Sequence, residues 1–218
     1  MKVYPIFLND LAGRRCVVFG GGGEAERKIL ELLECQAAVV LVSETATPRL
    51  SELAELGAVD WQRRSYRPGD LANTFLAIAT ETNPDATAPI YDEALRERVL
   101  FNAMDDVQHC TFVAGSVVRR GSLVVAISTS GAAPAVSVRL RERLEREIGE
   151  EYETLLDLLA GLREPMAERY PSFEERRAVW YRVVDSDVLD VIASAGADAA
   201  RNRIAELTGI QLTPRSTR

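Results

Sequence analysis

The stretch Cys16 to Lys28 reads CVVFGGGGEAERK, an apolar run that enters four consecutive glycines and leaves into residues that favour helix. Gly20, Gly22 and Ala25 stand in a GxGxxA spacing, and that spacing has a chemistry. The first glycine permits a tight turn, the second lets the backbone approach a pyrophosphate, and the small third residue lets a helix pack closely on a sheet. A helix beginning there adds free N–H groups and a partial positive charge, so Gly20, Gly22, Gly23, Glu24 and Ala25 form a candidate phosphate seat. The spacing alone also occurs in plain turns. A flexible linker is the competing reading, and it fails because an apolar helical face begins at once. About 20 residues further on, such sites place an acid at the end of the second strand to grip the adenosine ribose. Glu44, with Thr45 beside it, is the candidate, and a solvated loop carboxylate reads the same way. An acid there repels a 2′-phosphate, which favours NAD over NADP, with Arg49 close by as an opposing charge.

The elements around these residues are the ones a dinucleotide seat needs. Val17 to Phe19 reads as a buried strand, and Ala25, Ile29, Leu32 and Leu33 recur at helical spacing with charges on the other faces. Ala38 to Val42 is a second buried strand, which completes a βαβ unit of about 30 residues. A short helix over Leu50 to Leu56, strands at Val59 to Arg63 and Leu76 to Ala79, a helix over Ile90 to Arg98 and a strand at Val99 to Ala103 follow. Strands alternating with helices imply an α/β fold with a doubly wound, parallel, Rossmann-type sheet. Past residue 113 the character changes. Ser116 to Val118 and Leu123 to Ile127 read as strands joined by a hairpin-like connection at Arg119, Arg120 and Gly121. From Pro134 the pattern is helical, with leucine stripes from 140 to 162 that read as core or dimer contacts. Pro165 and Pro171 punctuate it, helices are expected over Val188 to Ala193 and Ala199 to Leu207, and the tail QLTPRSTR is expected to fray. The expected division is a NAD-binding domain over 1–113, a small β-containing dimerisation segment over 114–150 and a helical C-terminal domain over 151–218.

Bulk properties exclude several classes. The 218 residues are 47% hydrophobic and 27% charged, ordinary for a chain that buries a core. A net charge of −7 argues against nucleic acid as the main partner. No apolar run approaches a membrane span and the N-terminus lacks a secretory signal, so a cytoplasmic location is expected. Cys16, Cys35 and Cys110 contain no CxxC pair, so reduced thiols are the default. His109, the only histidine, sits beside Cys110, and two such neighbours do not make a metal site. A structural or surface role is expected for it.

Two further stretches carry identity: FNAMDD, Phe101 to Asp106, and RRGSLVVAISTSGAAPAVSVRLRERLE, Arg119 to Glu145. Together with YPIFLNDLAGRRCVVFGGGGEAERK they resemble the precorrin-2 dehydrogenase/sirohydrochlorin ferrochelatase family, the N-terminal module of sirohaem synthase. The resemblance runs in order along nearly the whole chain. It implies a homodimer with its interface in the middle segment, about 114 to 150, and NAD-dependent oxidation of precorrin-2 to sirohydrochlorin. Some members also insert Fe²⁺ as a substrate to make sirohaem. The chain stops near residue 218, so the methyltransferase domain that some members carry is expected on another protein.

The family's essential aspartate falls on Asp105. A strand-end carboxylate beside a nicotinamide can accept the proton that accompanies hydride removal, and it could also guide Fe²⁺ transiently. A helix N-cap is the plain alternative, and Asp106 next door competes for the role. Ser128 matches a family serine that is phosphorylated in at least one member. Ser128, Thr129, Ser130 and Gly131 run from a strand into a helix and form a second anion seat for a polycarboxylate tetrapyrrole, or simply a cap. Arg119 and Arg120 attract the same carboxylates or mark a solvated hairpin tip. Thr80 opens the loop expected to flank the cofactor. The match departs at Gly23 and Glu24, at the long loop Thr80 to Thr87, at Gly115 where proline is common, and at Ser130 and Ala133. These departures motivate two alternatives: a non-catalytic NAD- or tetrapyrrole-binding regulatory protein, and a dehydrogenase of another modified tetrapyrrole.

Overall fold

Cys16, Val17, Val18 and Phe19 are all buried, as a strand with helices on both faces requires. They belong to the central strand of the first of two compact units, Met1–Ala114 and Gly115–Arg218. The computed structural model describes residues 3–81 and 84–212. In the first unit β1 (Arg15–Phe19), α1 (Gly23–Glu34), β2 (Ala38–Val42), α2 (Pro48–Glu55), β3 (Val59–Gln62), β4 (Leu76–Ala79), α3 (Pro84–Glu97) and β5 (Leu100–Ala103) follow in order. The five strands form one sheet, β3-β2-β1-β4-β5, and every pairing is parallel. Alternation along each strand splits the core. Cys16, Val18 and Leu41 face α1 and α2 through Ile29 and Leu50, whereas Val17, Val40 and Phe101 face α3 through Ile90 and Ala94. Each fully buried side chain of this size contributes about 1.5–3 kcal/mol. The β5 edge is covered by its own continuation, since the Thr111 N–H donates to the Phe101 carbonyl at 2.8 Å.

The order reverses between β1 and β4, and the crevice outside their carboxyl ends is where such sheets bind ligands. Both the glycine turn and the loop opening at Thr80 leave the sheet at this point.

The second unit contains β6 (Ser116–Arg120), β7 (Leu123–Ile127), α4 (Pro134–Glu147), α5 (Glu151–Arg169), α6 (Phe173–Val184) and α7 (Val188–Thr208). The two strands pair antiparallel. Leu155, Leu158, Leu162 and Met166 of α5 pack against Val179 and Val183 of α6 and Ile192, Ala200 and Ile204 of α7. Gly196, at φ +80°, breaks α7 where two helices are anticipated from sequence.

Several sequence expectations need correction. Arg119 and Arg120 belong to β6, and the hairpin turns at Gly121, whose φ of +53° suits it. Pro165 lies inside α5, where complete burial of Leu162 and Met166 on either side outweighs the lost hydrogen bond. Helix α6 was not anticipated. Its charged run hides the apolar stripe, although Ser172 caps it by accepting from the Glu175 N–H. Helix α3 begins at Pro84, so the loop after β4 is shorter than Thr80 to Thr87. The tail beyond residue 212 lies outside the described residues. Among the described residues, no helix is long and apolar enough to cross a membrane.

Candidate dinucleotide and substrate site

Four glycines leave β1, and the structure gives them separate jobs. Gly20 adopts φ +101°, and a Cβ there would lie 2.5 Å from Thr80 Oγ1. At Gly21 a Cβ would fall 1.8 Å from the Thr45 carbonyl oxygen and 2.8 Å from Ser43 Oγ. The Gly21 carbonyl in turn accepts from the Thr47 N–H at 3.0 Å. So the turn is pressed between the loop after β2 and the loop after β4. Gly22 is the N-cap of α1 and Gly23 its first residue, and a Cβ on either would meet open space among the described residues. The first intrahelical bond runs from the Glu26 N–H to the Gly22 carbonyl, which leaves the first-turn N–H groups of Gly23, Glu24 and Ala25 available to an anion. Buried Ala25 packs the helix onto the sheet. Gly21 was missed by the spacing argument, which treats its position as a spacer; four glycines in a row were the available signal.

Glu24, whose carboxylate sequence places near this seat, is instead drawn along the helix to Arg27 at 2.6 Å. The carboxylate that does approach is Glu81, whose Oε1 accepts from the Gly21 N–H at 3.3 Å. Nothing in the spacing pointed to Glu81.

On the adenosine side, Glu44 follows β2 and accepts from Ser65 Oγ at 2.6 Å. The loop carrying Ser65 is anchored by Arg64, which reaches Asp70 at 2.7 Å. Burial of Asp70 acts to raise its pKa, and the bonds from Arg64 and the Arg67 N–H outweigh it, so the carboxyl titrates below the usual range. Trp61 Nε1 donates to the Ser43 carbonyl at 2.9 Å and stiffens the strand end beneath Glu44. Arg49 is occupied by Glu52 at 2.5 Å. Thr45 contributes its carbonyl to the glycine turn.

On the other side of the switch point, Thr80 is tied to the end of β1. Its N–H and Oγ1 donate to the Phe19 carbonyl at 2.9 and 3.1 Å. Asp105 follows β5, is exposed, and adopts φ +60°. Asp106, its rival, is engaged: its Oδ2 lies 2.6 Å from His109 Nδ1. Position 106, not 105, is also the N-cap of the 3-10 turn at Val107–His109. The His109 ring stands edge-on to Tyr91 with centroids 5.3 Å apart, a structural engagement as sequence implies. Burial, with the nearby Asp106 charge, pushes the Cys110 thiol up. Among the described residues no group of three His, Cys, Asp or Glu side chains is arranged to hold a metal ion. The first unit therefore gathers Gly20 to Ala25, Glu44, Thr45, Thr80 and Asp105 along the carboxyl edge of one sheet.

The second-unit candidates form their own group. Ser130 and Gly131 take φ +54° and +80° in succession. Ser128 Oγ accepts from the Ser130 N–H at 3.1 Å and Thr129 Oγ1 from the Ala133 N–H at 3.3 Å. This is a concave, N–H-rich turn ahead of α4. Arg119 and Arg120 do not join it. Arg120 pairs with Leu123 at one end of the hairpin, and Ser128 follows Ile127 at the other, about 13 Å of strand away. Arg120 instead donates to the Glu145 carbonyl at 3.0 Å near the end of α4, with its Nε buried and unpartnered. At Gly115, where the family favours proline, a Cβ would lie 2.6 Å from the Ile127 carbonyl oxygen.

Comparisons with known proteins agree with this layout. Residues 7–116 match the family described as putative NAD(P)-binding, 120–147 the sirohaem biosynthesis protein central region, and 151–207 the sirohaem synthase dimerisation region. The region named for dimerisation thus lies C-terminal to the segment 114–150 to which sequence assigns the interface. Siroheme synthase 3 of Aeromonas hydrophila is 32% identical over 206 residues, 94% of this chain and 44% of that protein. The siroheme synthase of Pseudoalteromonas translucida is 31% identical over 214 residues, 98% of this chain and 45% of that protein. The chain thus spans less than half the length of these curated relatives. A solved structure, SirC, precorrin-2 dehydrogenase, shares the fold with a TM-score of 0.76 and 23% identity over 94% of this chain and all of that one. An NAD(P)-binding sheet, a central region and a dimerisation region in that order, with relatives of one name, place the chain in the sirohaem synthase family.

Proposed function

We propose that this chain is an NAD-dependent dehydrogenase that oxidises precorrin-2 to sirohydrochlorin in the cytoplasm. The observation that carries the reading is a juxtaposition within one sheet. A braced glycine turn lies at the end of β1, and an exposed carboxylate, Asp105, lies at the end of β5, two strands away. The turn fits a dinucleotide by its cradle: Gly20 and Gly21 stand where a Cβ would collide, and Gly22 and Gly23 stand where one would protrude into open space.

Gly22, Gly23, Glu24 and Ala25 hold the pyrophosphate through backbone N–H groups, Glu44 binds the adenosine ribose, and Thr80 borders the nicotinamide end. Bound NAD supplies the hydride acceptor. A carboxylate held in place by Ser65 selects NAD over NADP, because a 2′-phosphate beside Glu44 brings like charges together. Asp105 takes the proton released as the substrate C–H bond breaks. If Fe²⁺ insertion follows, the same carboxylate receives pyrrole protons or guides the incoming ion. Ser128 to Gly131 offers N–H groups and hydroxyls to the substrate's carboxylates, and Arg119, exposed on β6, adds positive charge.

Two copies pair through the second unit. Val117, Val136, Val138 and Leu140 are large apolar side chains left exposed there, as an interface requires. The domain division at 113 and 150 is retained as part of the reading.

Asp105→Ala tests the assignment. NADH formation from precorrin-2 is expected to fall by about 10²-fold or more, with NAD affinity unchanged. Retained turnover would remove Asp105 from the chemistry.

A further inference from the structure

We infer that Asp106, His109 and Cys110 are positioning residues that clip the backbone turn at Asp105 and thereby fix where its carboxylate stands. The inference rests on the proposed role of Asp105. It starts from a conformation that needs explaining. Asp105 is not glycine, yet its φ is +60°. Aspartate tolerates the left-handed region better than most residues, but the region still costs energy and persists only where surroundings impose it.

The surroundings here form a closed ring of bonds. Upstream, the Met104 N–H donates to the Ala79 carbonyl at 2.9 Å and pins the chain to β4. Just past the turn, the Asp106 N–H donates back to the Ala103 carbonyl at 3.3 Å. The Asp106 carbonyl accepts from the His109 N–H at 3.1 Å. Cys110 Sγ accepts from the Ala103 N–H at 3.2 Å, and its hydrogen serves the Ala103 and Asp106 carbonyls at 3.3 and 3.2 Å. Because burial keeps the thiol protonated, that donor is always present. The Asp106 carboxylate closes the clip onto His109 Nδ1, whose ring rests edge-on against Tyr91 of α3. Everything except Asp105, Val107 and Gln108 is drawn inward, and Asp105 is left exposed at the sheet's carboxyl edge.

The rival role for His109 is to take the substrate proton itself. Asparagine separates the two roles. Its amide can replace Nδ1 as the donor to Asp106, but it has no ring nitrogen to receive a proton. Serine at 110 likewise keeps a donor and an acceptor, whereas alanine keeps neither.

The experiment compares H109N, H109L, C110S and C110A in the full chain, by steady-state NADH formation from precorrin-2 and by backbone amide exchange over residues 103–110. Loss of the clip makes a strained left-handed turn about tenfold rarer, so H109L and C110A are expected to lose about tenfold in kcat. Their KM for NAD is expected to stay within about twofold, since the glycine turn is untouched. Exchange at the Asp106 and His109 amides is expected to rise about tenfold in the same two variants. H109N and C110S are expected to keep most of the rate and the protection. If H109N fails as badly as H109L while its amides stay protected, His109 is the proton acceptor and the inference falls. It falls equally if all four variants keep their kcat. Should the wild-type chain form no NADH, the proposed function fails, and amide exchange alone decides the clip: raised exchange in H109L and C110A upholds it, and unchanged exchange overturns it.

Discussion

Two turns in this molecule leave a strand, pass through left-handed backbone and enter a helix: GGGG at 20–23 and STSG at 128–131. They are held in opposite ways. The first is braced from outside, by the Thr45 carbonyl against Gly21 and by Thr80 and Glu81 against Gly20. The second is braced from within, by the hydroxyls of Ser128 and Thr129 on N–H groups of its own turn, and a Cβ at Gly131 would meet open space among the described residues. The difference teaches what a dinucleotide seat is. Glycines supply freedom, but neighbouring loops convert that freedom into one fixed shape.

The comparison can be broken by adding single methyl groups. Gly21→Ala is expected to have the largest effect, a loss of about 3 kcal/mol or more in urea unfolding, because the clash is with backbone that cannot swing aside. A variant that folds and binds NAD as the wild type does would show that the loop after β2 is not packed on this turn. Gly20→Ala follows, at about 2 kcal/mol, combining a left-handed alanine with displacement of Thr80 and Glu81. Gly131→Ala is expected to cost about 1 kcal/mol from backbone strain alone, with no change in NAD affinity. Gly22→Ala sharpens the contrast. Its methyl enters open space, so stability should stay within about 0.5 kcal/mol while NAD affinity, read by calorimetry, falls about tenfold.

Much of the first unit was legible because its signals are local. The run AVVLV, buried at four of its five positions, is a strand at the expected bounds, and the apolar spacing of Ala25, Ile29 and Leu32 gives α1 its buried face. Helix α6 was not legible, since FEERRAVWYRVV buries only Val179 and Val183 of its twelve residues and depends on packing against α7. Pro165 misled for the same reason, because tertiary burial overrode a local breaker. At the site, Gly20, Gly22 and Ala25 follow from spacing, whereas Glu81 and Ser65 could not have been found that way. Glu81 reaches Gly21 from 60 residues away, and Ser65 reaches Glu44 from 21. The choice between Asp105 and Asp106 was likewise tertiary, decided by the contact that engages Asp106 with His109.

The central claim is that the braced turn and Asp105 serve one reaction. Its most direct test is anaerobic incubation of the purified chain with precorrin-2 and NAD, following the absorbance of NADH and of sirohydrochlorin together. Appearance of both in equal amounts is the result expected. Tight NAD binding with neither product formed would contradict the claim, and would leave the glycine turn as a dinucleotide seat without the dehydrogenase chemistry.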